Sequence, residues 1–125
     1  MLNLLLVGGG GFLGSVLRYL AGLLTQSLTG STALPYGTLA VNVLGCLIIG
    51  FLGGLAQHRQ LFSPELRLFV FTGMLGGFTT FSTFGYDTLN IARSFDQPLA
   101  LLNILLHISL GLGAVWLGYW LSRWC

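Results

Sequence analysis

The chain of 125 residues is 54% hydrophobic and only 6% charged, with a mean hydropathy of +0.86. Soluble globular domains carry roughly 25% charged residues, so a water-soluble globule is excluded, and the apolar content excludes a disordered chain as well. The net charge of +2 comes from five arginines against Glu65, Asp87 and Asp96, too few and too scattered to form a patch that holds nucleic acid.

Four apolar stretches run over about 2–24, 37–56, 66–92 and 98–124. At about 1.5 Å per residue, each matches or exceeds the roughly 30 Å hydrocarbon thickness of a bilayer. The pattern predicts an all-α membrane protein, with a single domain of four transmembrane helices over residues 1–125. No Arg or Lys precedes the first run, so it reads as a retained helix and not a cleaved signal. Polar links separate the runs: 25–36 is rich in Ser and Thr and carries Pro35, 57–64 carries His58 and Arg59, and 93–97 is short. Ser63-Pro64-Glu65 has the residues of a helix start, and Asp96 is placed to cap the fourth helix. Cys46 lies inside an apolar run and Cys125 at the last position, which is neither a disulfide framework nor a metal-ligand spacing.

Four crossings put both termini on one side with Arg59, Arg67 and Arg123, while Arg18 and Arg93 lie nearer the other. Orientation follows the imbalance of Lys and Arg between short loops, and here that imbalance is almost nil. Charge leaves two readings open: a chain that inserts both ways and forms an antiparallel homodimer, or one with a weak bias toward a single orientation.

Glycine occupies 19 positions, many at small-xxx-small spacing, as in Gly10 and Gly14, Gly50 and Gly54, and Gly73 and Gly77. Such faces let helix backbones approach closely in lipid. Gly9 to Gly14 also fits G-x-G-x-x-G, but with no preceding strand or following acid it does not read as a dinucleotide site. In the third run, 66–75 reads as uninterrupted helix. The string Gly76-Gly77-Phe78-Thr79-Thr80-Phe81-Ser82-Thr83-Phe84-Gly85 then predicts a break at mid-membrane depth. A break leaves carbonyls unpaired on one arm and N–H groups on the other, attracting a cation and an anion respectively. The alternative is a kinked helix whose hydroxyls bond back to preceding carbonyls.

Phe81 and Phe84 share a face of the second arm. They can serve as packing, or their positive ring edges can touch an anion weakly, as permeation needs. Asn42, costly in lipid, is either interhelical glue or a donor to an ion. On the fourth run Asn103, His107 and Gly111 form one track, with Ser109 elsewhere; His107 is a packing residue or a pore-lining one that makes flux depend on pH. Arg18 either snorkels to the interface or lines an aqueous vestibule. Asp87, three residues past Phe84, can carry protons, pair with Arg or face water.

These strings resemble the Fluc family of fluoride channels, also called CrcB-like proteins, over essentially the whole chain. The resemblance is carried by Gly9-Gly10-Gly11 through Arg18-Tyr19, by Gly37-Thr38-Leu39-Ala40-Val41-Asn42-Val43-Leu44-Gly45, and most specifically by Thr72-Gly73 and Gly76 through Phe84. It implies a dual-topology homodimer in the cell inner membrane with two fluoride pathways and a structural sodium ion on the two-fold axis. It also implies that Phe81 and Phe84 flank the permeating anion, that Asn42 contacts it and that Ser82 and Thr83 add hydroxyls. Arg18 becomes a vestibule residue, and the backbone carbonyls of Gly76 and Thr79 hold sodium. Asp87 departs from the longer glutamate common in the family, and Asn103 and His107 stand where many members have Tyr and Ser.

The competing class is a proton-coupled exporter of the small multidrug transporter type, also short and four-helical. Those proteins depend on an acid in the first helix, which this chain lacks, so Asp87 would have to take that role. A non-transporting assembly subunit is a third class. No nucleophile, base and orienting group recur at usable spacing, so the chain does not read as an enzyme.

Overall fold

The computed structural model describes residues 1–30, 34–59, 61–94 and 96–125. Among them every regular element is helical, and four helices are long and apolar enough to cross a membrane. They are α1 (Leu2–Thr29), α2 (Tyr36–Arg59), α3 (Pro64–Arg93) and α4 (Gln97–Leu121). The protein is thus a multi-pass helical membrane protein.

The helix starts follow the sequence. Ser63 Oγ accepts the Leu66 N–H at 3.2 Å ahead of Pro64, and Asp96 Oδ1 accepts the Leu99 N–H at 3.1 Å, each satisfying a donor the first turn leaves free. One helix end does not follow it. α1 continues past residue 24 to Thr29, because Thr25 Oγ1 donates to the Ala21 carbonyl at 2.7 Å and Thr29 Oγ1 to the Thr25 carbonyl at 2.9 Å. Hydroxyls satisfied by the preceding turn do not stop a helix. Gly30 stops it, taking the left-handed conformation at φ 59° and sending its N–H back to Gln26. Of the expected polar links, residues 31–33, Gln60 and Phe95 lie outside the described residues.

α3 is the irregular element. It is α-helical over Pro64–Arg67, π-helical over Leu68–Leu75 and α-helical again over Gly76–Phe78, so 66–75 is uninterrupted helix whose turns are widened from Leu68 on. Thr79 (φ −85°, ψ 156°) and Thr80 (φ −152°, ψ 117°) are extended, and Phe81–Arg93 is α-helical. The non-helical joint is therefore narrower than the Gly76 to Gly85 string. Gly76 to Phe78 still belong to the first arm, and the second arm begins at once because Thr80 Oγ1 caps it, accepting the Thr83 N–H at 3.3 Å.

Glycines set how the helices meet. α1 lies against the first arm of α3, and α2 against α4. A Cβ at Gly10 or Gly14 would run into the backbone carbonyls of Phe69 or Met74, and one at Gly77 would come within 2.6 Å of the Gly11 carbonyl. On the other seam Gly50 faces the Val115 carbonyl and Gly118 the Leu47 carbonyl. Backbone against backbone at this range maximises dispersion contact where lipid supplies no hydrophobic drive. The joint of α3 lies against α2, where Gly45 faces the Thr79 methyl.

Candidate functional site

An extended pair inside an apolar protein exposes backbone groups that a helix would have satisfied. In a continuous helix the Thr80 N–H would bond the Gly76 carbonyl. Here it donates to Asn42 Oδ1 at 2.8 Å, and the Thr80 carbonyl accepts from Asn42 Nδ2 at 3.0 Å. One side chain of α2 thus satisfies both groups, each of which would cost roughly 1–3 kcal/mol if buried unpaired. α2 also supplies Gly45, where a Cβ would collide with the Thr79 methyl, and Thr38, whose Oγ1 donates to Asp87 Oδ2 at 2.8 Å.

Thr80 Oγ1 is a hub, 3.2 Å from Ser82 Oγ and 3.1 Å from Thr83 Oγ1. Two concavities meet at this residue. A cavity of about 680 Å³ is lined by Arg18, Thr38, Thr80, Thr83 and Asp87 among others. A second, of about 380 Å³, is lined by Asn42, Cys46, Thr80, Phe81, Phe84 and His107, together with Gly76 and Thr79. The first holds an arginine, a carboxylate and hydroxyls; the second holds aromatic rings and a single imidazole.

The ring centroids of Phe81 and Phe84 are 5.4 Å apart at 55°, and Phe84 lies 4.4 Å from the His107 ring. Phe81 is 82% exposed, an apolar side chain left largely uncovered by the described residues. His107 Nδ1 is 3.0 Å from the Asn103 carbonyl. That oxygen can only accept, so Nδ1 carries the proton and Nε2 presents a lone pair in the neutral ring. Among the described residues Nε2 is buried with no partner.

Asn42, Phe81, Phe84, Thr83, His107, Arg18, Gly76 and Thr79 therefore gather around the joint. Ser82 reaches it only through the Thr80 hydroxyl and is exposed. Asn103 does not reach it: at 1% exposure it lines neither cavity and donates to Thr88 Oγ1 at 2.8 Å. Thr88 in turn donates to the Phe84 carbonyl at 2.7 Å. Ser109 bonds the Leu105 carbonyl on an exposed face. The residues that spacing alone did not single out are Thr38, Thr80 and Thr88. Thr38 is four residues before Asn42, so its place on the same face of α2 was readable.

Four helices able to span a membrane, a bent third helix and a polar cavity beside a ring-lined one define a multi-pass helical membrane protein. The chain matches the family model described as "CrcB-like protein, Camphor Resistance (CrcB)" over residues 5–119. It is 46% identical over 123 residues to a protein of Rhizobium meliloti (strain 1021), covering 98% of each chain. It is 42% identical over 123 residues to one of Clostridium perfringens (strain 13 / Type A), covering 98% of this chain and 95% of the relative. It is 48% identical over 120 residues to one of Campylobacter jejuni (strain 81-176), covering 95% and 97%. All three are named "Fluoride-specific ion channel FluC". The chain belongs to the CrcB-like family, a family of channels and not of enzymes.

Proposed function

We propose that the chain is a fluoride-selective channel that lets the anion leave the cell passively across the inner membrane and so lowers cytoplasmic fluoride. The observation that carries this reading is the joint at Thr79 and Thr80, with a polar cavity on one side, a ring-lined cavity on the other and Thr80 lining both. The joint acts as a break in α3 at membrane depth, tolerated because protein and water surround it.

Arg18 attracts the anion into the polar cavity, where hydroxyls of Thr80 and Thr83 replace part of its hydration and Ser82 is joined to them through Thr80 Oγ1. The second arm of α3 points its free N–H groups toward the joint, the favourable end of a helix for negative charge. Past Thr80 the anion meets the edges of Phe81 and Phe84 and the amide of Asn42, whose Nδ2 retains a second N–H. These contacts are individually weak, and an ion that must leave as well as arrive needs weak sites. His107 forms the far wall, with Asn103 behind it as the start of the fourth-helix track.

The exposed Phe81 fits a second copy, and the working unit of this reading is an antiparallel, dual-topology homodimer with two pathways, embedded in lipid. Nearly balanced arginines at the two ends permit both insertions. Sodium fits the first arm: Gly76 has lost its helical donor to Asn42, and loosened backbone carbonyls suit that ion. Gly76 and Thr79 would hold it through their carbonyls on the two-fold axis. Bound there, it supplies positive charge that offsets the cost of bringing anions into a low-dielectric core.

The test is efflux from liposomes holding the purified protein, followed with a fluoride-selective electrode and with chloride as the control. Fluoride should leave without a pH gradient while chloride stays. Strict coupling to a pH gradient would instead indicate a proton-coupled exporter, and no flux an assembly subunit. Cysteine labelling of loops from each side tests the topology, where a single orientation would remove the antiparallel pair.

A further inference from the structure

We infer that Asn42 is a positioning residue of the joint: its carboxamide takes the place of a neighbouring strand at Thr80 and holds α3 open. Whatever the anion does, the amide oxygen and one N–H of Asn42 are already committed to the Thr80 N–H and carbonyl, at 2.8 and 3.0 Å. That two-point pairing is the pattern two residues make across an antiparallel ladder. Among uncharged side chains only Asn and Gln carry a donor and an acceptor so arranged, and the extra methylene of Gln would overreach a backbone held this close.

The rest of α2 is shaped to the same end. Thr38, Asn42 and Gly45 follow one helical face, and they meet Asp87, Thr80 and Thr79 in that order. The face lies along the extended residues like a template. Gly45 lets α2 come close enough for the Asn42 bonds to form, since a Cβ there would strike Thr79.

Two consequences follow for the chain's own groups. The Thr80 N–H, held by Asn42, is withheld from Gly76, so the Gly76 carbonyl is kept free of its helical partner. The Thr80 side chain is also fixed, and with it the hydroxyl hub joining Ser82 and Thr83. Asn42 thereby acts on both faces of the joint, and its one remaining N–H is aimed by the two bonds that fix the others. The part of this that concerns permeation rests on the channel reading above; the clamp itself does not.

The experiment separates the two. Full-length protein in lipid nanodiscs, without fluoride, is compared as wild type, Asn42→Ala and Asn42→Asp by hydrogen exchange read at the Thr80 amide. Asn42→Ala should exchange at least about tenfold faster, as an unbonded amide does when its local opening is no longer opposed. Asn42→Asp keeps an acceptor for that N–H and loses the donor to the carbonyl, so its Thr80 amide should stay near wild-type protection. Fluoride efflux should fall in both variants, because the aspartate adds a negative charge to the pathway. Equal protection in all three proteins, with efflux falling, would overturn the clamp and leave Asn42 as an anion ligand only. A wild type that carries no fluoride would sink the channel reading while the exchange result still stood. Should Asn42→Ala fail to assemble, solid-state NMR on the wild type decides: magnetisation transfer from the Asn42 Nδ2 to the Thr80 carbonyl carbon is expected, and its absence overturns the inference.

Discussion

The two arms of α3 are held in opposite ways. The first arm lies in a seam of glycines, its backbone pressed on that of α1 at Gly10, Gly14, Gly73 and Gly77. The second arm is held by side-chain hydrogen bonds: Asn42 to Thr80, Thr38 to Asp87, and Asn103 to Thr88. No residue of Phe81–Arg93 is fully buried. A backbone seam has no smaller state to relax into, whereas a polar bond can exchange its partner for water or an ion. The molecule thus places its rigid contacts on one side of the joint and its adaptable ones on the other.

The contrast is broken most severely at Gly14. A Cβ there would land on the Met74 carbonyl and within 2.8 Å of the Phe78 N–H, atoms of a backbone that cannot turn aside. Gly14→Val should cost more than the ~1–3 kcal/mol usual for an overpacked core and yield aggregated protein by size-exclusion chromatography. Gly113 has nothing within 4 Å of its virtual Cβ, so Gly113→Ala should be neutral or slightly stabilising, gaining up to ~1 kcal/mol of helix propensity. Equal behaviour of the two variants would show that the seam does not organise the fold.

Next in size are the rings of the second arm. Phe84→Ile and Phe81→Ile keep apolar volume and remove the aromatic edge, so fluoride efflux should fall by at least about tenfold, a barrier change of some 1.4 kcal/mol. Elution as an assembled species should be unchanged. Wild-type efflux in both variants would reduce the rings to packing.

How much of this arrangement was legible differs between the arms for physical reasons. Apolar run lengths determine the spans, and Ser63 and Asp96 announce helix starts through local bonds that any sequence displays. The glycine spacing pointed to the seam, although which glycine meets which carbonyl depends on helix rotation. α1 outruns its apolar stretch because Thr25 and Thr29 satisfy their hydroxyls on their own helix. The bend of α3 at Thr79 and Thr80 occupies two residues of the Gly76 to Gly85 string, whose width composition could not narrow, since Thr80 both ends the extended pair and caps the next arm. The partners of Asn42 and Asn103 were not readable at all: each amide is satisfied by a residue on another helix, and composition carries no distance. The spacing that puts Asn103 in line with His107 carries no sign of the bond it donates to Thr88.

His107 sharpens the comparison at smaller amplitude. With Nδ1–H on the Asn103 carbonyl, the neutral ring has no donor left at Nε2, which is buried without a partner among the described residues. His107→Gln brings an amide N–H to the wall of the cavity that His107 lines with Phe84. Fluoride efflux should therefore rise, by less than the loss expected at the rings. Efflux equal to that of the wild type would leave His107 a wall residue.

The smallest effect is expected at Thr38. Thr38→Val removes the hydroxyl that donates to Asp87 Oδ2 and keeps the branched shape, so the loss is about that of one polar interhelical bond in a membrane protein, ~0.6 kcal/mol on average. Asp87 faces the larger cavity, where water can take over the vacated position, and this is what keeps the effect small. Asn42 makes two bonds to the Thr80 backbone, so its loss frees a backbone donor and an acceptor together. A thermal-stability loss at Thr38→Val as large as that at Asn42→Ala would mean that the second arm is anchored at its far end and the joint merely follows. A loss several-fold smaller is the result expected if α2 grips α3 at the joint itself.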